Sequence, residues 1–314
     1  MRIFVTGATG FIGSAVVQEL IGAGYEVLGL ARSETGANAL TATGARVHRG
    51  DIEDLESLRS GAAASDGVIH TAFLHDFSRW AAACEMDRRA IEALGTALAG
   101  SDRRLIVTSG TALAAPGRVA TEDSPPAFTV AEVPRVASEE AATAMAARGV
   151  RVAVVRLAPS VHGDGDHGFV PLLIDLARQK GVSAYVGEGL NRWPAMHRLD
   201  AAKLFRLAVE KAPAGARLHG IADEGVPFRE IASVIGRRLN VPLVGKSKKE
   251  AADHFGWFEH FAAIDNPASS KRTRELLGWQ PKQPGLIADI DRPRYFENRT
   301  PDPGDARKQT ANGR

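Results

Sequence analysis

The sequence has a single cysteine, Cys84, among its 314 residues. One cysteine excludes an internal disulfide framework and a zinc site built on several cysteines, and it fits a reducing compartment. No apolar run approaches the roughly 20 residues that a membrane-spanning helix needs. The first residues lead directly into an apolar strand pattern without a signal peptide, so we expect a cytoplasmic protein with no membrane partner.

The chain also lacks a large excess of charge of either sign. Lys and Arg total 39 against 37 Asp and Glu, a formal net charge of +2, which argues against a nucleic-acid partner. The segment Asp164-Gly165-Asp166-His167 lacks the length and the glutamate of a calcium loop, so we expect no metal. The hydrophobic content of 44% is ordinary for a globular protein. We expect the partner of this protein to be a small molecule.

The sequence does contain a regular alternation of apolar runs and helical patterns. Such alternation predicts βαβ units, and hence an α/β fold with a parallel sheet covered on both faces. Strands are predicted at 3–5, 26–31, 46–49, 68–69, 105–107 and 150–157, and helices at 13–21, 80–98, 138–147 and 199–210.

The rhythm changes after about Gly163, where loops, aromatic residues and prolines become more frequent. We predict a first domain over 1–163, with 195–222 packing back on it, and a smaller interleaved domain over 164–296. Residues 297–314, which are polar and contain several prolines and glycines, are predicted to be a disordered tail.

The most informative motif follows the first strand and reads Thr6-Gly7-Ala8-Thr9-Gly10-Phe11-Ile12-Gly13. One glycine permits the tight turn, one lets the backbone approach a pyrophosphate, and one lets helix and strand pack closely. The start of the helix offers free N–H groups and a positive dipole end to the phosphates. A purely structural turn is the alternative. We predict a Rossmann, doubly wound sheet that binds a dinucleotide through Gly7, Thr9, Gly10, Phe11, Ile12 and Gly13.

The end of the second predicted strand bears on which dinucleotide is bound. An acidic residue there would hold the ribose 2′-OH of NAD, but the strand ends in Arg32-Ser33. A guanidinium and a hydroxyl suit a 2′-phosphate, which a carboxylate would repel. We therefore predict NADP(H) in preference to NAD(H). In the alternative, Arg32 only lies on the adenine or faces solvent.

Several segments in the same order resemble the extended short-chain dehydrogenases/reductases, the superfamily of NAD-dependent epimerases and dehydratases. They are the glycine motif, Gly50-Asp51-Ile52, Val68-Ile69-His70-Thr71-Ala72, Arg156 with Val161-His162-Gly163, Met196-His197-Arg198-Leu199-Asp200, and Leu277-Gly278-Trp279-Gln280-Pro281. The resemblance implies a smaller C-terminal substrate-binding domain. It also implies cofactor contacts at Asp51, Ile52, Thr71, Ala72, Phe73, Thr108, Pro159, Ser160 and Val161.

The catalytic residues of that superfamily, a Ser, a Tyr and a Lys, are not matched. Arg135 stands where the resemblance implies the tyrosine, Glu139 where it implies the lysine, and Gly110 where it implies the serine. The three tyrosines, Tyr25, Tyr185 and Tyr295, are not followed by a lysine four positions on. The chain therefore resembles the atypical, extended-like members that lack the Tyr-x-x-x-Lys pair.

Two function classes remain open. An oxidoreductase acting on an aldehyde, a ketone or an activated alkene would need another proton donor. The first candidates are Ser109, Thr111 and Tyr185, and His75 and His162 rank after them. Each candidate also has a structural interpretation, as a strand-end hydroxyl, a packed aromatic residue or a loop histidine. The second class is a non-catalytic, NADP(H)-binding redox sensor, and a sugar-nucleotide epimerase ranks lower because its chemistry needs the tyrosine.

Two further features leave alternatives open. The aromatic segments 192–197 and 254–258 fit either an apolar ligand pocket or the core of a small domain. The alanine-rich helices predicted at 80–98 and 138–147 permit close helix packing in a homodimer, and a monomer is compatible with the same composition.

Overall fold

The computed structural model describes residues 1–297, so residues 298–314 of the predicted disordered tail lie outside the described part. The strands are β1 (Arg2–Thr6), β2 (Glu26–Ala31), β3 (Arg46–Arg49), β4 (Gly67–His70), β5 (Arg104–Gly110), β6 (Arg151–Leu157), β7 (Ser160–His162), β8 (Ser183–Val186), β9 (Arg192–His197), β10 (Arg217–Gly220), β11 (Asp223–Pro227) and β12 (Leu243–Lys246).

Helices alternate with the strands from β1 to β6, and the last four helices follow β12 with no strand between them. The helices are α1 (Phe11–Gly22), α2 (Glu34–Ala42), α3 (Leu55–Ala63), α4 (Trp80–Leu98), α5 (Ala137–Ala147), α6 (Phe169–Lys180), α7 (Arg198–Lys211), α8 (Phe228–Leu239), α9 (Lys248–Phe255), α10 (Glu259–Ala263), α11 (Lys271–Leu277) and α12 (Leu286–Ile290). Short 3-10 helices cover Phe77–Arg79, Thr111–Leu113, Pro134–Val136, Gly256–Phe258 and Pro293–Tyr295.

A seven-stranded sheet forms the centre of the fold, in the order β10-β6-β5-β4-β1-β2-β3. All neighbours in it are parallel, as the alternating pattern predicted. The strand order reverses between β1 and β4, which pair with Phe4 opposite Val68. The loops that leave these two strands therefore diverge and open a crevice at the carboxyl ends, where such sheets bind ligands. The predicted Rossmann fold is confirmed.

The two faces of the sheet are buried under separate sets of helices. Ile3, Phe4 and Val5 have no exposed surface, because side chains of a central parallel strand meet helices on either side. One face packs against α1 and α7, through residues such as Val16, Leu20 and Phe205. The other packs against α3, α4 and α5, through residues such as Leu58, Ile91 and Met145.

The second half of the chain contributes to both parts of the molecule. Helix α7 packs against α1, where Arg206 Nε lies 2.8 Å from Glu19 Oε1, and β10 joins the edge of the main sheet beside β6. Two small sheets, β11-β9-β7 and β12-β8, lie in this half of the chain. A separate core there contains Trp193 and Phe258, both without exposed surface, whereas Val161 of β7 and Met196 of β9 pack with the main core. The exact division into 1–163 and 164–296 stays a prediction.

The aromatic segments divide between core and surface. Within 192–197 and 254–258, Trp193, Phe255 and Phe258 are core residues of the second unit, whereas Trp257 is 53% exposed. In residues 1–297, no helix has both the length and the apolar character needed to cross a membrane.

Candidate active site

The glycine motif forms a tight turn in which Gly7 and Gly13 leave no room for a side chain. Gly7 has a φ of +67°, and a Cβ added to it would lie 2.6 Å from the Ala72 nitrogen. A Cβ on Gly13 would lie 2.0 Å from the Gly7 oxygen. Thr9 and Gly10 are exposed at the tip of the turn, immediately before α1 begins at Phe11. The backbone of this turn is therefore open to a phosphate at a helix N-terminus.

An open groove of about 1150 Å³ lies at the ends of β2 and β3. Its lining includes Arg32, Ser33, Arg49 and Asp51. The Arg32 side chain is 72% exposed, and its Nη1 lies 3.8 Å from Asp51 Oδ2, a loose contact that leaves the guanidinium free to turn. Ser33 caps α2 by accepting a hydrogen bond from the Gly36 N–H at 3.1 Å. Predicted cofactor residues thus line this groove.

Other predicted cofactor residues lie beside the glycine turn. The Thr71 hydroxyl donates to the Thr6 carbonyl at 2.7 Å, and Ala72 N–H donates to Thr6 Oγ1 at 3.3 Å. Thr108, at the end of β5, donates to the His70 carbonyl at 2.7 Å. These bonds fix the carboxyl ends of β1, β4 and β5 relative to each other.

The remaining predicted cofactor residues differ in exposure. Ile52 is 7% exposed and belongs to the core under α3, so its side chain serves packing. Ser160 is 3% exposed and begins β7, while Val161 and Pro159 flank it, with Val161 packed against the main core.

A buried chain of polar side chains leads from the glycine turn to Arg135. The Thr6 hydroxyl lies 2.7 Å from His70 Nδ1, and His70 Nε2 lies 3.0 Å from Asp87 Oδ1. The other oxygen, Asp87 Oδ2, accepts from Ser138 Oγ at 2.5 Å and from Arg135 Nη1 at 2.7 Å. With the carboxylate at Nε2, a neutral His70 carries its proton there and accepts from Thr6 at Nδ1.

Arg135 is held on several sides at the carboxyl edge of the sheet. Its Nη2 donates to the Thr108 carbonyl at 2.9 Å, and its guanidinium carbon lies 4.2 Å from the centre of the Phe73 ring. Burial alone would raise the pKa of Asp87, but the charge of Arg135 and the contacts with His70 and Ser138 outweigh it and lower the pKa to about 2. Asp87 is therefore an anion that fixes the Arg135 cation.

Glu139 lies one helical turn further along and forms a second buried ion pair. It accepts from Arg156 Nε at 2.7 Å and from Arg156 Nη2 at 2.6 Å, while Ser109 Oγ donates to the same carboxylate at 2.7 Å. Burial opposes ionisation of Glu139, but the hydrogen bonds and charge of Arg156 lower its pKa. At the position where the resemblance implies a lysine, the structure thus has a carboxylate that forms an ion pair with Arg156.

The three predicted proton donors do not form one cluster. Ser109 is buried and donates to Glu139, and Thr111 is fully buried with its Oγ1 3.2 Å from Asn266 Oδ1. Tyr185 lies on β8 in the second unit, under the guanidinium of Arg229 at 5.4 Å. Their catalytic assignment stays a prediction.

The predicted histidines have different surroundings. His162 has no exposed surface, and its Nδ1 lies 2.9 Å from Asp289 Oδ2, which also accepts from Tyr295 at 3.0 Å. His75, on the exposed loop after β4, contacts the edge of Phe73 with ring centres 5.0 Å apart.

Sequence reasoning missed Asp87, although the sequence carried a signal for it. In α4, the buried positions Ala83, Cys84, Ala90 and Ile91 recur at helical spacing, and Asp87 falls on the same face. A carboxylate on a buried helix face requires a partner, which pointed to a cation or a hydrogen-bond donor nearby. Arg135, 48 positions away, could not be identified as that partner from spacing.

Comparisons with known proteins agree with this geometry. Residues 3–219 match the family described as NAD dependent epimerase/dehydratase. The chain belongs to this family. It is 50% identical over 301 residues to an uncharacterized protein of Schizosaccharomyces pombe. The match covers 94% of this chain and 100% of the yeast protein.

Two more distant relatives have described activities. The chain is 30% identical over 270 residues to a 4-hydroxy-2-methyl-3-oxo-4-farnesyl-3,4-dihydroquinoline-1-oxide ketoreductase of Stigmatella aurantiaca, with 82% of this chain and 80% of that one covered. Among solved structures, it resembles a dTDP-glucose 4,6-dehydratase of Streptomyces venezuelae, with a TM-score of 0.75, 21% identity, and 94% and 97% of the chains covered. The structural likeness supports the fold alone.

Proposed function

We propose that this protein is an NADP(H)-dependent oxidoreductase that acts on a small carbonyl-type substrate, an aldehyde, a ketone or an activated alkene. The observation that carries the proposal is the glycine turn at the switch point of the sheet, with Gly7 and Gly13 packed too closely for any side chain. Family membership and the reductases among its relatives support an NAD(P)-dependent oxidoreductase at the coarser level.

The preference for NADP(H) rests on the groove at the end of β2. Arg32 and Ser33 occupy the end of the strand, and Arg49 adds a second guanidinium from β3. Arg49 is engaged by Glu34, but both are surface side chains whose ion pair is weak and exchangeable. A 2′-phosphate would find two guanidinium groups and a hydroxyl there.

Arg135 would supply electrostatic stabilisation to the reaction. A bound nicotinamide supplies or accepts the hydride, and the protein positions the substrate and stabilises the charge that develops on its oxygen. A guanidinium does not give up its proton near neutral pH, so Arg135 would act as a fixed cation and not as an acid. Among the predicted donors Ser109 suits proton transfer least, because the Glu139 carboxylate already accepts its hydroxyl hydrogen.

A non-catalytic redox sensor is a second candidate, and one observation favours it. Arg135 and Glu139 are both engaged in ion pairs, with Asp87 and Arg156, so neither side chain can reproduce the acid chemistry of a Tyr and Lys pair. Tight cofactor binding without turnover of any aldehyde, ketone, activated alkene or sugar nucleotide would support the sensor. Turnover of a sugar nucleotide alone would support an epimerase or dehydratase.

Cofactor titrations test the proposal directly. We expect the purified protein to bind NADPH more tightly than NADH by calorimetry. Arg32→Ala should weaken NADPH binding about tenfold and leave NADH nearly unchanged, because a charge-assisted hydrogen bond is worth roughly 1.5–3 kcal/mol and this one is exposed. Arg59→Ala, which removes another exposed arginine paired within α3, is the matched control. Tighter binding of NADH than of NADPH would refute the NADP(H) preference.

A further inference from the structure

Arg198, the first residue of α7, reaches across to the first turn of α1. Its Nη2 donates to Ser14 Oγ at 2.9 Å, and its guanidinium carbon lies 4.7 Å from the centre of the Phe11 ring. Phe11 is the residue at which α1 begins, directly after the exposed tip of the glycine turn. Arg198 therefore places a cation beside the helix end at which we expect the phosphates of the dinucleotide.

The charge of Arg198 has no acidic partner within residues 1–297. Its Nη1 donates to the main-chain carbonyl of Asp164 at 2.6 Å, while the Asp164 carboxylate pairs with another arginine. The Asp200 carboxylate, two positions further along α7, accepts from the N–H groups of Lys282 and Gln283. Burial lowers the pKa of Arg198, and its Nε is buried without a hydrogen-bond partner. A half-buried guanidinium held only by neutral acceptors still lacks an anion to balance it.

Helix stability does not account for a cation at this place. The N-terminal end of a helix carries partial positive charge, which favours anions and disfavours cations. Arg198 begins α7 and also contacts the first turn of α1, so it lies at the positive ends of two helices. The first turn of α1 contains no acidic residue, whereas Ser33 and Asp54 cap α2 and α3 with side-chain oxygens. This collection of positive charge favours an anionic ligand.

The loop from Gly163 to Gly168 packs against Arg198 and fixes its stem. Gly163 has a φ of +132°, and a Cβ added to it would lie 2.9 Å from Arg198 Cγ. His167 of the same loop contacts Phe11, with ring centres 5.6 Å apart. The stem of Arg198 is therefore held, while its guanidinium bonds a hydroxyl and a carbonyl, which are weaker acceptors than a charged phosphate oxygen.

We propose that Arg198 binds the pyrophosphate of the dinucleotide, as a cation that the second half of the chain supplies to the glycine turn. The guanidinium exchanges its bond to the Ser14 hydroxyl for a phosphate oxygen, and the Phe11 ring beneath it keeps it beside the turn. This inference rests on the proposed function, because it needs a dinucleotide at the glycine turn. It concerns the pyrophosphate, which NAD(H) and NADP(H) share, and not the 2′-phosphate.

Two variants separate the charge of Arg198 from its hydrogen bonds. Arg198→Gln keeps hydrogen-bond donors and loses the charge, whereas Arg198→Lys keeps the charge and loses the planar fork. In calorimetric titrations of the full chain, we expect Arg198→Gln to weaken the binding of NADP⁺ and of NAD⁺ by about tenfold each. Arg198→Lys should weaken both by less than about threefold. Lys203→Gln, which removes another cation from α7, should change neither affinity.

A ligand that lacks the pyrophosphate separates this inference from the NADP(H) preference. 2′-AMP has the adenine, the ribose and the 2′-phosphate of NADP⁺ but no pyrophosphate. We expect Arg198→Gln to leave 2′-AMP binding unchanged and Arg32→Ala to weaken it, because only Arg32 lies in the groove at the end of β2. For NAD⁺ the pattern should be reversed. An equal loss of 2′-AMP and NADP⁺ affinity in Arg198→Gln would mean a general disturbance of the site, and the proposal would fall.

Salt shows whether the lost affinity is electrostatic. The affinity of the wild type for NADP⁺ should fall more steeply with added KCl than that of Arg198→Gln, since ions screen the attraction between charges. Parallel salt dependences of the two proteins would overturn the proposal and leave Arg198 as a link between α1 and the loop. If neither dinucleotide binds to the wild type, the proposed function fails as well. If both bind equally well to the wild type and to Arg198→Gln, only this inference is refuted.

Discussion

Glu139 and Arg156 face each other as a bidentate ion pair in the interior, with N–O distances of 2.7 and 2.6 Å. Arg156 has no exposed surface and Glu139 is 2% exposed. Glu139 is also the residue at which the family resemblance implies a lysine. A lysine there would meet Arg156, so the chemistry of a Tyr and Lys pair cannot be introduced without also changing β6.

The first prediction follows from this pair. Glu139→Lys should lower the free energy of unfolding by about 3–5 kcal/mol, because it leaves Arg156 as an uncompensated buried charge and adds a second one. Glu140→Lys, the same change at the adjacent exposed position, should cost less than about 1 kcal/mol. Urea unfolding measures both. The double variant Glu139→Leu with Arg156→Leu should be more stable than Glu139→Lys, and a double variant as unstable as the single one would contradict this explanation.

The second prediction concerns acid stability. Arg135 and the other partners hold the pKa of Asp87 at about 2, below its usual 3.8. Since the folded value is the lower one, the ionised Asp87 stabilises the fold above about pH 4, and this contribution disappears as the pH falls from about 4 to about 2. Its size is on the order of 2 kcal/mol.

Denaturant titrations at several pH values test whether the stabilisation by Asp87 is lost as the pH falls. The stability difference between the wild type and Asp87→Asn should be largest at pH 6 and shrink by about 1.5 kcal/mol by pH 2.5. Glu53→Gln, which changes an exposed carboxylate, should run parallel to the wild type. A difference between wild type and Asp87→Asn that stays constant across this range would show that the ion pair does not govern acid stability.

The third prediction compares two glycines of α1. Gly13→Ala would place its Cβ 2.0 Å from the Gly7 oxygen, so it should abolish dinucleotide binding or prevent folding. Gly22→Ala adds the same methyl group at the other end of the helix, where nothing lies within 4 Å. It should keep binding unchanged and stabilise the helix by up to about 1 kcal/mol. Normal cofactor affinity in soluble Gly13→Ala protein would disprove the role given to the turn.

The sequence predicted the parts of this molecule that depend on local pattern. The glycine turn, the parallel strands and the helix at 80–98 follow from spacing, and that helix begins and ends where the structure has α4. Arg32 and Ser33 could be placed beside the groove at the ends of β2 and β3 because a strand end fixes their position.

The sequence could not predict contacts between distant side chains. The sequence identifies Arg135 only as the residue at the position of the family's tyrosine, and its bond to Asp87 depends on how α4 packs against the 3-10 helix that precedes α5. The ring contact between Phe77 and Trp257 joins two segments far apart in the chain, and nothing in the spacing of either segment requires it. The sequence leaves Ser109 as a candidate proton donor or a bonded strand-end hydroxyl, because the carboxylate that accepts its hydrogen comes from a neighbouring helix.

The position of β10 has a consequence for biosynthesis. This strand completes the sheet beside β6, with Leu218 opposite Val155, yet the ribosome makes it about sixty residues later. Until residues 217–220 emerge, β6 has a bare edge that can pair with other nascent chains. A premature stop codon between positions 164 and 216 should therefore yield aggregates and not a small folded domain.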